Sequence, residues 1–322
     1  MMSQKQLYLL MFLLMAIVLF QNRRITIEPT RQKNERNYDS NGNSINQYAP
    51  TKDYNTLDDR HKKGKYNIGL ALSGGGIKCF CHVGVLKALE DKGIRPDIIS
   101  GVSSGALVAA LYADGYSPDS IVTMFEKLSL TEYFRIGFPN GGLFSLNGFK
   151  KLLDTVLTAN TFEELSIPLK IIATDLDNGQ SVIFETGNLV DAIIASCSVP
   201  VLFSPYVIDG INYVDGGIFM NMPASPVRSE CRILIGASVV PLDADLYEKS
   251  ITQIALRSYK FIFRSNSSKE KGLCDILIEP EKIAEYNGAS LNRIEEIFNI
   301  GYDETNKVLN TPESIKLFNR LK

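Results

Sequence analysis

From about residue 66 onward the chain alternates short apolar runs with stretches of helical spacing, and glycines punctuate the changes. Ile68-Gly69-Leu70-Ala71-Leu72 reads as a short buried strand. Ser73-Gly74-Gly75-Gly76 breaks it, and Val83, Leu86, Lys87, Leu89 and Glu90 then recur at helical spacing up to Gly93. The same order returns at once: Asp97-Ile98-Ile99-Ser100 enters Gly101, and residues 106–112 continue as a helix to Gly115. Residues 169–175, 181–184, 211–214 and 232–237 read as further strands, and 276–278 as an edge or late strand before Pro280. Residues 193–198 suggest a short helix ended near Pro200. Residues 245–271 show helical spacing at Ile251, Ile254, Ala255 and Tyr259. Residues 291–309 predict a closing amphipathic helix. Two aromatic, apolar stretches within 123–157, around Phe134 to Phe138 and Gly142 to Phe144, suit core or lid packing.

The N-terminus follows different rules. Residues 7–20 form an unbroken apolar run of 14 residues, preceded by Lys5 and followed by Gln21-Asn22-Arg23-Arg24. That length suits a signal-peptide core and falls short of the roughly 20 residues of a spanning helix. The lack of a small-residue cleavage site favours an uncleaved anchor, with Lys5 and Arg23 snorkelling. Basic residues are denser after the run, so the positive-inside rule keeps the rest of the chain cytoplasmic; secretion after signal cleavage is the alternative. Residues 25–65 are polar, show no hydrophobic period and read as a linker, with a basic cluster at His61-Lys62-Lys63-Gly64-Lys65. The expected organisation is an anchor or signal segment at 1–24, a linker at 25–65 and one domain at 66–322.

Bulk properties narrow the function classes. A formal net charge of −2 gives no electrostatic case for nucleic acid. The five cysteines, Cys79, Cys81, Cys197, Cys231 and Cys274, are odd in number and scattered. They read as buried free thiols rather than a disulfide framework, and no Cys/His spacing resembles a zinc site.

Candidate chemistry centres on Gly101-Val102-Ser103-Ser104-Gly105, a Gly-x-Ser-x-Gly at a strand-to-helix corner. This is the nucleophile-elbow pattern, with Ser103 at its centre and Ser104 as the off-centre alternative. The familiar triad needs a histidine later in the chain, but both histidines, His61 and His82, precede Ser103. The base must be another group. Asp215, in Val214-Asp215-Gly216-Gly217, is the leading candidate, with Asp175 and His82 as alternatives. The loop Gly74-Gly75-Gly76 leads into a helix, so its N–H groups could hold a phosphate or an oxyanion. No Gly-Lys-Ser/Thr follows it as in a P-loop, and Cys79 stands where a dinucleotide fingerprint needs its third glycine. In a parallel sheet, both loops lie at the carboxyl ends of strands, where such sheets bind ligands.

Six segments, in order, resemble the patatin-like phospholipase family: Leu72 to Gly76, His82 to Leu86, Gly101 to Gly105, Ala173-Thr174-Asp175, Ala195 to Pro200 and Val214 to Gly217. The resemblance implies an α/β fold, a three-layer α/β/α sandwich with a mainly parallel central sheet. It also implies a Ser–Asp dyad that cleaves carboxylic esters of phospholipids or neutral lipids at a membrane surface, without metal or cofactor. Carried over, Ser103 is the nucleophile, Asp215 the base, and Gly74, Gly75 and Gly76 the oxyanion hole. Lys78-Cys79 departs from the family's Arg-Gly and puts the loop geometry in question. That departure motivates the alternative of a membrane-tethered lipid-binding protein with little turnover. A lipid acyltransferase is the third possibility.

Overall fold

The computed structural model describes residues 64–127, 135–136, 142–241, 251–286 and 293–321. The expected anchor at 1–24, and the expected linker except for its last two residues, lie outside the described residues. Among the described residues, no helix is long and apolar enough to cross a membrane.

The elements run, in chain order, β1 (Tyr66–Leu72), α1 (Cys79–Asp91), β2 (Ile98–Val102), α2 (Ser104–Ala113), α3 (Pro118–Lys127), β3 (Arg135–Ile136), β4 (Gly142–Ser145) and α4 (Asn147–Val156). There follow β5 (Leu169–Asp175), β6 (Gln180–Phe184), α5 (Leu189–Cys197), β7 (Val201–Phe203), β8 (Tyr206–Ile208) and β9 (Ile211–Asp215). The chain continues through α6 (Gly217–Met220), α7 (Ser225–Arg228), β10 (Cys231–Ala237), α8 (Ile251–Lys271), β11 (Ile276–Ile278), α9 (Ile294–Leu309) and α10 (Pro312–Asn319).

The main sheet has the order β11-β10-β1-β2-β5-β9-β8, with β6 also paired to β5. Neighbours from β11 through β5 are parallel, and β6 and β9 pair antiparallel with β5. The fold is therefore α/β, with a mixed, mostly parallel central sheet flanked by helices. The strands that read as continuous apolar runs, β1, β2, β5 and β10, are the buried ones, as expected where helices cover both faces. β6 opens on two polar residues, Gln180 and Ser181, and none of its residues is fully buried. On one face the core joins α1, α2, α4 and α5 with α9, through Phe80, Leu86, Leu111, Leu153, Ile193 and Ile297. A smaller cluster on Ala71, Ile98 and Leu234 takes Met222, Val227 and Cys274.

The expected strands at 169–175 and 276–278 recur with those bounds, and the others recur with shifts of up to four residues at their described ends. The helix expected over 245–271 is described from Ile251. The small sheet β3-β4-β7 and the helices α4 and α10 carried no clear signal in the sequence. Of the aromatic stretches within 123–157, Phe144 packs against Phe203 at 6.4 Å, and Phe149 on α4 is buried in the core. The residues around Phe134 and Phe138 lie outside the described side chains.

β1 and β2 are adjacent and parallel, and their register pairs Leu72 with Gly101. The glycine loop and the Ser103 corner thus leave the sheet side by side, at the carboxyl ends of their strands. β9 pairs Asp215 with Ala173 on β5, which is itself next to β2. Residues more than a hundred positions apart in sequence converge at this end of the sheet.

Candidate active site

Ser103 occupies a backbone conformation that an L-residue rarely takes, with φ 54° and ψ −129°. Such a corner costs on the order of 1–3 kcal/mol and persists only where the surroundings over-determine it. The surroundings here are specific. The Ser103 N–H donates to Ser196 Oγ at 2.7 Å, and Ser196 Oγ donates to the Ile172 carbonyl at 2.6 Å. Helix α2 begins directly at the corner, with Ala106 N–H donating to the Ser103 carbonyl at 2.9 Å. Gly105 lies against β1: a Cβ there would stand 2.4 Å from the Ser73 carbonyl oxygen, so no side chain fits. These contacts hold Ser103 almost wholly buried at the head of α2.

Asp215 ends β9 and is also buried. Its N–H donates to the Ser198 carbonyl at 2.9 Å, and its carbonyl accepts from the Thr174 hydroxyl at 3.0 Å. The C-terminal end of α5 therefore supports both chemical residues, Ser103 through Ser196 and Asp215 through Ser198. One carboxylate oxygen, Oδ1, accepts the Gly217 N–H at 2.7 Å. Burial drives the Asp215 pKa up to about 6. The Ser103 hydroxyl and the Gly217 N–H pull in the opposite direction without cancelling the burial. The Ser103 hydroxyl thus faces this carboxyl group, while Oδ2 is buried without a hydrogen bond of good geometry. The Ser–Asp contact is a loose one, as catalytic hydrogen bonds often are before substrate binds.

The alternative bases occupy structural positions. Asp175 accepts from the N–H groups of Asp177 and Asn178 at 3.1 and 2.9 Å and from Asn178 Nδ2 at 2.7 Å. These bonds hold its carboxyl below the usual carboxylate range, those from Asn178 foremost. It organises the turn between β5 and β6. His82 is wholly buried on α1, with Nε2 2.8 Å from the Ser73 carbonyl oxygen. Burial lowers its pKa to about 4. It is a neutral imidazole that donates from Nε2 and anchors the start of the glycine loop. Ser104, the off-centre hydroxyl, accepts the Gly75 N–H at 3.2 Å and ties that loop to α2.

The glycine loop is a tight turn from β1 into α1. Gly76 has φ +59°, the left-handed region glycine enters without penalty. Cys79, which stands where the family has glycine, has an ordinary helical φ of −58°. The departure at Lys78-Cys79 therefore introduces no backbone strain. Burial drives the Cys79 thiol up to about 12, so it is an inert packing residue. Of the three loop amides, Gly74 N–H donates to the Asn221 carbonyl at 3.2 Å, and Gly75 N–H is held by a rotatable hydroxyl. No hydrogen bond to Gly76 N–H is seen among the described residues.

Asn221 is the site residue that sequence reading did not reach. It follows α6, and its side chain is buried beside the glycine loop, Ser103 and Asp215. Its Oδ1 would lie 2.5 Å from a Cβ at Gly74, whose next neighbour is Ser103 Cβ at 3.1 Å. Neither Oδ1 nor Nδ2 has a hydrogen-bond partner. A buried amide left unpaired costs about 1–3 kcal/mol, so its retention here needs a reason in the chemistry of the site. An Asn six residues after a candidate Asp is a signal that spacing alone cannot interpret.

The arrangement is a hydroxyl at a strained corner, a buried carboxylate facing it, and a loop of amides beside both. Such a group can deprotonate the hydroxyl and stabilise an oxyanion. Comparison with known proteins points the same way. Residues 70–228 match the family model described as patatin-like phospholipase. Over 163 residues the chain is 34% identical to an uncharacterized NTE family protein of Mycobacterium tuberculosis, covering 50% of this chain and 45% of that protein. Over 190 residues it is 31% identical to the neuropathy target esterase sws of Drosophila melanogaster, covering 55% of this chain and 13% of that protein. The chain thus spans less than half the length of these curated relatives. The crystal structure of VipD from Legionella pneumophila superposes with a TM-score of 0.52, over 76% of this chain and 67% of that one. At 16% identity that likeness concerns the fold.

Proposed function

Residues 70–228 belong to the patatin-like phospholipase family, and from that premise we propose that the protein is a serine acyl hydrolase cleaving carboxylic-ester bonds of lipids through Ser103 and Asp215. The observation that carries the reading is a buried carboxyl group, with its pKa raised to about 6, facing a serine at a strained strand-to-helix corner. An ordinary aspartate is a poor base near pH 7, whereas one near 6 is ionised there and still has useful affinity for a proton.

In the first step Ser103 Oγ attacks the ester carbonyl carbon while Asp215 takes the hydroxyl proton. The carbonyl oxygen becomes an oxyanion, which amides of the glycine loop stabilise. Gly76 N–H supplies one donor. Gly75 N–H supplies a second when Ser104 Oγ rotates away, and the unpaired Asn221 amide supplies a further one. The tetrahedral intermediate collapses, the alcohol leaves with the proton held by Asp215, and the acyl group remains on Ser103. Water, deprotonated by Asp215, then attacks the acyl-enzyme, and the acid leaves as the Ser103 hydroxyl reforms.

The substrate in this reading is a phospholipid or neutral lipid at a membrane surface, and the apolar run at 7–20 holds the chain there. Carbonate extraction tests that part: a protein released into the supernatant removes the anchor from the proposal. The chemistry is tested by hydrolysis of p-nitrophenyl acyl esters and by fluorophosphonate labelling of the full chain. Both are expected in the parent, and neither in Ser103→Ala. A folded parent that hydrolyses no ester and takes no label would establish a binding role instead.

A further inference from the structure

Asn266 lies within α8, a helix of 21 residues, and its side chain leaves that helix to meet α6. Its Nδ2 donates to the Gly217 and Ile218 carbonyls at 2.7 and 3.0 Å, and its Oδ1 accepts the Asn221 N–H at 2.9 Å. Two carbonyls on one side and an N–H on the other fix which way the amide points. Asparagine is a mediocre residue inside a helix, so α8 by itself gives no reason for it.

The reason lies in α6. That helix has four residues, too few to supply donors for its own carbonyls. In a longer α-helix the Asn221 N–H would bond to the Gly217 carbonyl, four residues back. Here the Asn266 amide stands between the two and serves both, accepting from Asn221 and donating to Gly217. The task needs a donor and an acceptor on one short side chain. Aspartate has no donor for the carbonyls, and leucine, of similar volume, has neither group.

Each end of this bridge reaches one half of the candidate site. Gly217, held through its carbonyl, gives its N–H to Asp215 Oδ1 at 2.7 Å. Asn221, held through its N–H, accepts the Gly74 N–H on its carbonyl at 3.2 Å, and its side chain lies against Gly74 and Ser103. The fit is close: a Cβ at Gly217 would stand 2.8 Å from Asn221 Oδ1, 2.9 Å from Asp215 Oδ1 and 3.0 Å from Phe263 Cε1 of α8. One turn further along α8, Glu270 accepts the Ser225 N–H at 2.7 Å. The helix therefore grips the chain after Asp215 at two points.

We propose that Asn266 is a positioning residue for the Ser103 reaction: by bridging Gly217 and Asn221 it sets the base and the glycine loop relative to each other. It acts through those two residues, and the role rests on the Ser103–Asp215 reading. Burial raises the Asp215 carboxyl to about 6, and the Ser103 hydroxyl and the Gly217 N–H keep it from rising further. A Gly217 that drifts weakens its bond, so the carboxyl should then titrate at higher pH. Cys197 of α5 is close enough for its charge to be felt by Asp215, but burial keeps it a neutral thiol.

The test compares the full chain with Asn266→Leu and Asn266→Ala on a p-nitrophenyl acyl ester. Rates are expressed per serine that reacts with a fluorophosphonate, so unfolded protein does not count. Both substitutions are neutral, so no new charge moves the pH profile. In Asn266→Leu, kcat per site should fall about 100-fold, as for a misplacement of about 1 Å. KM should change little, and the acid limb of kcat/KM should move to higher pH. Asn266→Ala leaves room for water to take up the freed backbone groups, and it is the variant read should Asn266→Leu not fold. An unchanged kcat per site, or an unmoved acid limb, in a folded variant overturns the proposal. A fall only in the number of reactive sites assigns Asn266 to stability and overturns it as well. A folded parent with no reactive serine and no ester hydrolysis defeats the hydrolase reading itself, whereas an active parent with unaffected variants removes Asn266 alone.

Discussion

Ser196 holds Ser103 in place: its Oγ accepts the Ser103 N–H at 2.7 Å while donating to the Ile172 carbonyl at 2.6 Å. The hydroxyl is the fixed point that stabilises an otherwise unfavourable backbone corner. Ser196→Ala is expected to leave a buried N–H and a buried carbonyl unpaired, costing about 1–3 kcal/mol of stability. Because misplacement by about 1 Å can cost 100-fold, the same change should lower kcat more than it raises KM. Steady-state kinetics beside thermal unfolding would show this, and an unchanged kcat would deny Ser196 a positioning role.

The strain at Ser103 yields a second comparison. Ser103→Ala and Ser103→Gly both remove the nucleophile, but glycine accepts φ 54° and alanine does not. The glycine variant should therefore be the more stable of the two inactive proteins, by about 1 kcal/mol. Urea denaturation measures the difference directly.

Asp215 links activity and stability to pH in opposite directions. Its carboxylate is the working form, so kcat/KM should rise as pH increases through about 6 and level off above it. For stability, the folded pKa of about 6 exceeds the ordinary value of 3.8, so the folded protein binds the proton more tightly. The cost of burying the charge is absent below 3.8 and complete above 6. Asp215→Asn should then abolish turnover yet stabilise the protein at pH 7 by up to about 3 kcal/mol. The advantage should shrink to nothing as pH falls from 6 to 3.8. Denaturation of parent and variant at three pH values tests it; a variant less stable at pH 7 would contradict it.

His82 behaves in the reverse sense. Its folded pKa of about 4 lies below the ordinary 6.5, so the folded protein favours the neutral ring. The stability it contributes is full above pH 6.5 and is lost as pH falls through 4. His82→Gln retains a donor for the Ser73 carbonyl and should remove that pH dependence while keeping turnover. Loss of turnover in a folded His82→Gln protein would restore His82 as a candidate base.

Asn221 separates stability from chemistry most sharply. Replacing its two unpaired buried polar atoms with a similar apolar volume, as in Asn221→Leu, should leave the fold as stable or more stable. If its amide is a donor to the oxyanion, the rate should fall about 100- to 1000-fold. Single-turnover acylation by a chromogenic ester gives the number, and an unaltered acylation rate would remove Asn221 from the chemistry.

Much of this architecture was legible in the chain because local rules governed it. β1, β2, β5 and β10 are mostly buried and so read as largely apolar runs. The glycine-bounded Ser103 corner is a local feature of five residues. The helices α4 and α10 and the strands β3, β4 and β7 were obscure because they are short and amphipathic or only a few residues long. The sequence by itself put Asp215 first among the possible bases, with Asp175 and His82 as alternatives, but gave no account of what surrounds each of them. Those surroundings belong to the tertiary structure. It placed Asp175 in a turn where four neighbouring donors hold its charge, and His82 against the Ser73 carbonyl. It also buried Asp215 facing Ser103, joined Asn221 to Gly74 across 147 positions of chain, and brought Lys78 to Arg257, Lys260 and Arg264. The physical reason is that periodicity records which side of an element faces the core. Burial, charge and hydrogen bonding at a site depend on contacts between residues far apart in sequence, and these exist only once the sheet has assembled.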